Sequence, residues 1–130
     1  MNRTTQARVA IVDDDEPVRD ALSMMLRAAG YAVEAHASAE AFLAKKPPAP
    51  PACVVLDVRM PGMTGLELQE RLADRGFDLP IVFLTGHGDI PQSVRAMRQG
   101  AVDYLVKPVS EAVLVAKAQE VLERNEGPGA

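Results

Sequence analysis

Four aspartates and glutamates in a row, Asp13-Asp14-Asp15-Glu16, follow a short apolar run, and a single aspartate, Asp57, closes another. Thr85 and Lys107 close two more such runs. Carboxylates, a hydroxyl and an ammonium are the groups that hold a hard cation and stabilise a phosphoryl group. If they met, the pocket would need a cation. At roughly 4 Å and an effective dielectric near 20, each pair of carboxylates repels by about 4 kcal/mol, enough to protonate or spread an uncompensated set. Oxygen ligands with room for water and phosphate favour Mg2+, with Mn2+ as a substitute, which takes one or two direct carboxylates. Asp57 stands alone and is the natural nucleophile, whereas Asp13 and Asp14 can share direct and water-mediated metal contacts.

Whether these residues meet depends on the elements that carry them. Arg8–Val12, Tyr31–Ala37, Cys53–Leu56, Pro80–Leu84 and Val102–Val106 are short, largely apolar runs of strand character. Between them the spacing turns helical. Val18, Leu22, Met25 and Leu26 recur over Pro17 to Ala29, before Gly30. Ser38 caps a short helix through Lys45 with Ala41 and Phe42 inward. Thr64-x-x-Glu67 has the form of a capping box, and Leu66, Leu68 and Leu72 follow it. Val94, Met97 and Ala101 mark a fourth helix capped by Asp89. Ser110 starts a fifth, running to about Glu123 with Val113, Leu114, Ala118, Val121 and Leu122 inward.

Continuously apolar strands alternating with helices belong to a parallel sheet covered on both faces, so the fold class is α/β, doubly wound. In such a sheet all strand C-termini share one edge, where ligands bind. Asp13, Asp14, Asp57, Thr85 and Lys107 therefore converge.

The remaining composition narrows the function. The chain has 130 residues, one domain's worth, with formal net charge −4 and no basic block, so nucleic acid is not contacted by this domain itself. Cys53 is the only cysteine, which precludes an internal disulfide, and its apolar neighbours make it a buried thiol. No segment approaches the roughly 18 apolar residues of a membrane span, so a cytoplasmic protein with no membrane partner is expected. Pro47–Pro51 reads as a stiff loop inside the domain. His36 and His87 are too separated to form a soft-metal site and are read as surface or loop residues. Residues 7–124 form the expected domain, with flexible termini at 1–6 and 125–130.

The motifs as a set resemble the receiver domain of bacterial two-component response regulators. They are Ile11-Val12-Asp13-Asp14, Leu56-Asp57 with Met60-Pro61-Gly62 and Gly65, Leu84-Thr85-Gly86, and Lys107-Pro108. Arg59-Met60-Pro61 and Thr85-Gly86-His87-Gly88-Asp89 are most similar to the FixJ-like branch. The resemblance implies a CheY-like, flavodoxin-like (β/α)5 fold with five parallel strands in the order 2-1-3-4-5 and five helices. It further implies that Asp57 takes phosphate from a sensor histidine kinase, and that Asp14, Asp57 and the Arg59 backbone carbonyl bind Mg2+ directly with Asp13 acting through water. Thr85 and Lys107 then bind the phosphoryl group, the Lys107-Pro108 peptide is cis, and Thr85 and Tyr104 act as the switch. Such a domain is a phospho-acceptor and not an enzyme in the ordinary sense. It changes the surface of the fourth helix, fifth strand and fifth helix, through which it forms a homodimer on phosphorylation or controls a C-terminal DNA-binding output domain. Two other readings use the same residue types. One is a Mg2+-dependent phosphatase or phosphotransferase of the haloacid-dehalogenase kind, whose late acidic pair and added cap domain are lacking here; the other is a receiver-like binding module that works without phosphorylation.

Overall fold

The computed structural model describes residues 7–44, 51–86 and 90–125. Five strands, β1 (Arg8–Val12), β2 (Ala32–His36), β3 (Cys53–Asp57), β4 (Ile81–Thr85) and β5 (Asp103–Val106), alternate with α1 (Glu16–Ala28), α2 (Ala39–Ala44), α3 (Gly65–Asp74), α4 (Ile90–Arg98) and α5 (Glu111–Asn125). All strand pairs are parallel and the order is β2-β1-β3-β4-β5. This is the expected flavodoxin-like (β/α)5 fold.

Side chains alternate across the sheet, so each strand feeds two cores. Ala10, Val12, Val54, Leu56, Ile81 and Phe83 pack with Phe42 of α2, Leu66, Leu68 and Leu72 of α3 and Ala96 of α4. On the other face Val9, Ile11, Cys53, Val55, Val82 and Leu84 meet Leu22 and Leu26 of α1 and Leu114, Ala118 and Val121 of α5. The two central strands, β3 and β4, are buried along their whole length. Their uninterrupted apolar sequence is the consequence of being covered twice. Cys53 sits in this interior, where burial pushes its thiol up to about 12.

Local chemistry sets the helix starts. Asp15 caps α1, its side chain accepting the Val18 N–H, with a proline in the first turn. Thr64 forms the predicted reciprocal box with Glu67, each side chain accepting the other's backbone N–H, at 3.2 and 2.8 Å. Ser38 accepts the Ala41 N–H ahead of α2.

Two inward expectations, Ala41 and Val113, are corrected, as is the surface position expected for His36. Ala41 is exposed and Ala39 is buried in its place, because Ala39 and Phe42 lie three apart on one face while Ala41 is turned about 100° from Phe42. Val113 is half exposed for the same reason, being one residue ahead of the inward Leu114 and Ala118. In α4, Val94 and Met97 face outward and Ala96 is the buried contact; the Gln69 side chain of α3 donates to its carbonyl. His36 is buried at the end of β2, not a surface residue: its ring meets the Glu34 carboxylate at 3.0 Å and the edge of Phe42. Helix α5 runs to Asn125. The expected Asp89 cap, His87, Lys45, the proline run up to Pro50 and the outer termini lie outside the described residues.

The loop from β3 to α3 turns back so tightly that Gly65 N–H donates to the Val58 carbonyl at 3.0 Å. A methyl group on Gly65 would lie 2.3 Å from the Asp57 carbonyl oxygen and 3.0 Å from the Phe83 ring. No side chain fits between these two fixed groups. Gly65→Ala is expected to destabilise the fold by about 2–3 kcal/mol, read as a lower urea midpoint at unchanged m-value.

Candidate functional site

The sheet register delivers the side chains. Val12 pairs with Leu56, Asp57 with Leu84, and Thr85 with Val106, so the residues at or just beyond these strand ends share one edge. The strand order reverses between β1 and β3, and the crevice of a doubly wound sheet opens there. Asp13 and Asp57 flank that reversal, and Lys107 reaches them from the end of β5. Its backbone is held by a hydrogen bond from Lys107 N–H to the Thr85 carbonyl at 2.9 Å, and the Lys107-Pro108 peptide is cis, as expected.

Asp13 is fully buried. Its N–H donates to the His36 carbonyl (3.1 Å), its Oδ1 accepts the Asp15 N–H (2.9 Å), and its own carbonyl accepts Arg19 Nη1 (2.8 Å). Asp57 Oδ1 accepts the Arg59 N–H at 3.1 Å, and Oδ2 accepts Lys107 Nζ at 3.2 Å. The same ammonium lies 3.0 Å from Asp13 Oδ2. Asp14 is exposed at the rim, yet one oxygen from each of Asp13, Asp14 and Asp57 falls within 4.8 Å of the others. Thr85 is buried, its hydroxyl donating to the Gly86 carbonyl at 3.1 Å. Tyr104, opposite Phe83 in the register, is half buried against the α3 and α4 side of the core. Arg59 is exposed as a side chain, and its backbone N–H is the group bonded to Asp57 Oδ1.

One ammonium is set against three carboxylates, which leaves negative charge in excess. Burial pushes the Asp57 carboxyl from its ordinary 3.8 up to about 6; Asp13 beside it acts in the same sense, and Lys107 and the Arg59 N–H act against them. Burial pulls the Lys107 ammonium down, but its contacts with Asp13 and Asp57 outweigh this and hold it above its ordinary value. Among the described residues the Lys107 ammonium is the one partner of the buried Asp13 Oδ2. A buried carboxylate oxygen with a single partner, within reach of two other carboxylates, fits a hard divalent cation. Among the described residues no sulfur or imidazole joins this cluster, so the donor set is all oxygen.

Sequence reasoning named every side chain in this cluster. It missed the surrounding braces: Arg19, which grips the Asp13 carbonyl, and the His36 carbonyl on the neighbouring strand. No sequence pattern announces either, since both act on backbone groups across a fold contact.

Fold and pocket together define a class of protein: a doubly wound α/β domain with an acidic, lysine-bearing site at its topological switch point. The chain belongs to the family described as "Response regulator receiver domain", which matches residues 9–119. It is 47% identical over 120 residues to "Transcriptional regulatory protein FixJ" of Rhizobium meliloti, covering 92% of this chain and 57% of that protein. The FixJ of Azorhizobium caulinodans is 44% identical over 121 residues, covering 93% and 57%. The crystal structure of full-length FixJ from B. japonicum superposes with a TM-score of 0.87 at 41% identity, covering 97% of this chain and 62% of that one. A structure described as FixJ-N gives 0.84 at 44% identity and covers 95% and 96%. The chain thus spans somewhat over half the length of the curated relatives it matches. It is a receiver domain close to the FixJ-like branch. Among the described residues, no helix is long and apolar enough to cross a membrane.

Because folding raises the Asp57 pKa, the fold prefers the protonated acid. Stability is therefore lost as pH rises from about 3.8 to about 6, and the full cost is present above that window. Asp57→Asn is expected to raise stability by about 1–3 kcal/mol at pH 7 in metal-free buffer, with the gain vanishing below pH of about 4; denaturant melts across that range measure it.

Proposed function

We propose that the domain accepts a phosphoryl group on Asp57 from the phosphohistidine of a sensor histidine kinase, with Mg2+ bound beside it, and that this changes the face formed by α4, β5 and α5. The single observation that carries the reading is the convergence of Asp13, Asp14 and Asp57 within 4.8 Å, with Lys107 bonded to Asp57.

In the proposed transfer an Asp57 oxygen forms a bond to phosphorus as the phosphorus–nitrogen bond to the kinase histidine breaks. Asp14, Asp57 and the Arg59 carbonyl would hold Mg2+ directly and Asp13 through water. When bound, the ion neutralises charge on the phosphoryl oxygens and offsets the repulsion among the three carboxylates. Lys107 already lies between Asp13 and Asp57 and supplies a fixed positive charge to the phosphoryl group. Thr85 would exchange its bond to Gly86 for one to a phosphoryl oxygen, and Tyr104, whose ring packs on the same layer as Phe83, would turn inward behind it.

The exposed apolar side chains support the output face. Of the six large ones on the described surface, Val94 and Met97 lie on α4, Val106 on β5 and Val113 on α5. Clustering on three adjacent elements marks a surface built for contact, which fits a homodimer or an output domain. The resemblance to proteins called transcriptional regulators, 57% of whose length is matched, supports control of transcription through a DNA-binding segment outside these 130 residues. A cytoplasmic location follows from that role.

Acetyl phosphate with Mg2+ is expected to add one phosphoryl group to the wild type and none to Asp57→Asn, as seen by intact mass. Lys107→Ala should label at least roughly tenfold more slowly. Equal labelling of wild type and Asp57→Asn would sink the reading, as would a partner affinity or oligomeric state indifferent to phosphorylation.

A further inference from the structure

The loop that carries Arg59 from β3 to α3 has an anchor outside the pocket. Glu40, in the first turn of α2, reaches across 23 residues of sequence so that its Oε2 accepts the Met63 N–H at 3.0 Å. The loop is shaped around this carboxylate. Gly62, at φ +77°, brings its backbone so close that a Cβ there would lie 2.7 Å from the same Oε2. Helix α2 is itself fixed, by the Ser38 cap and by the buried Ala39 and Phe42 on either side of Glu40. At its other end the loop is pinned by Gly65 N–H on the Val58 carbonyl, also at 3.0 Å.

We infer that Glu40 is a positioning residue for the phosphoryl site: its carboxylate on the Met63 N–H, with Gly62 making room for it, holds the 59–63 loop in the conformation that binds the divalent cation. This rests on the proposed role of the Arg59 carbonyl as a metal ligand. A metal ligand on a loop binds well only when the loop is already in place, because ordering it on binding costs affinity. Glu40 touches neither metal nor phosphate. It acts at one remove, through the backbone of the loop.

Magnesium titrated calorimetrically into the full chain tests this, alongside amide hydrogen exchange at Met63 in the metal-free protein. Glu40→Ala is expected to weaken Mg2+ binding by about threefold to tenfold and to raise Met63 exchange, and Glu40→Gln, which keeps an acceptor oxygen, should restore both to within about twofold of wild type. Gly62→Ala, whose methyl group displaces the carboxylate, should weaken Mg2+ binding to a similar extent, and adding Glu40→Ala to it should weaken binding no further. Wild type binding Mg2+ with Glu40→Ala equal to it would overturn the inference alone. So would unchanged Met63 exchange, or equal losses of melting temperature in Glu40→Ala and Glu40→Gln with affinity unmoved. A wild type that binds no Mg2+ would overturn the proposed function and this inference with it.

Discussion

A lysine ammonium between two buried carboxylates is the interaction around which the rest is arranged. Lys107 Nζ stands 3.0 Å from Asp13 and 3.2 Å from Asp57, in a pocket where Asp14 adds a further negative charge at the rim. Burying two acids for one base is unfavourable on its own, and the cost is visible in Asp57, whose carboxyl is pushed up to about 6. The domain tolerates this imbalance because the sheet beneath is rigid. β3 and β4 are covered on both faces, and neither can relax sideways to let the charges spread.

That tension is useful for a switch. A site in electrostatic excess gains most from a ligand that brings positive charge. The braces around the pocket keep the excess from being relieved by local movement. Arg19 holds the Asp13 carbonyl, the His36 carbonyl holds the Asp13 N–H, and the Arg59 N–H holds Asp57 Oδ1. Gly65 then lets α3 begin directly behind the Asp57 carbonyl, so the acceptor strand and its loop form one compact unit. Structural economy and chemical readiness come from the same contacts.

The α4, β5 and α5 elements expose Val94, Met97, Val106 and Val113. Thr85 ends β4, and Tyr104 lies opposite Phe83 on β5, packed against the core of that layer. Gln69 ties α3 to the Ala96 carbonyl of α4 by a buried hydrogen bond, and its own Oε1 has no hydrogen-bond partner among the described residues. An incompletely satisfied contact at a helix interface is easier to rearrange than a fully bonded one.

Reading the sequence alone was enough to identify the strands, because full burial on two faces writes an unbroken apolar run such as CVVL, and to identify the site, because strand direction brings every strand's last residue to one edge. The Thr64 capping box was legible for a similar reason: both partners lie within one helical turn. What it could not show was which side of a short helix turns inward. Ala41 and Val113 fit an inward reading because they are apolar, yet a 100° step per residue and the exact seating of each helix put them outside. His36 was misjudged likewise, since its burial depends on Glu34 two residues away and Phe42 on the next helix. Chain chemistry thus determined the acids, the lysine and the edge they share. Only tertiary packing decided the 3 Å geometry among them and the backbone braces that hold it, because those contacts join segments whose spacing in sequence carries no periodic signal.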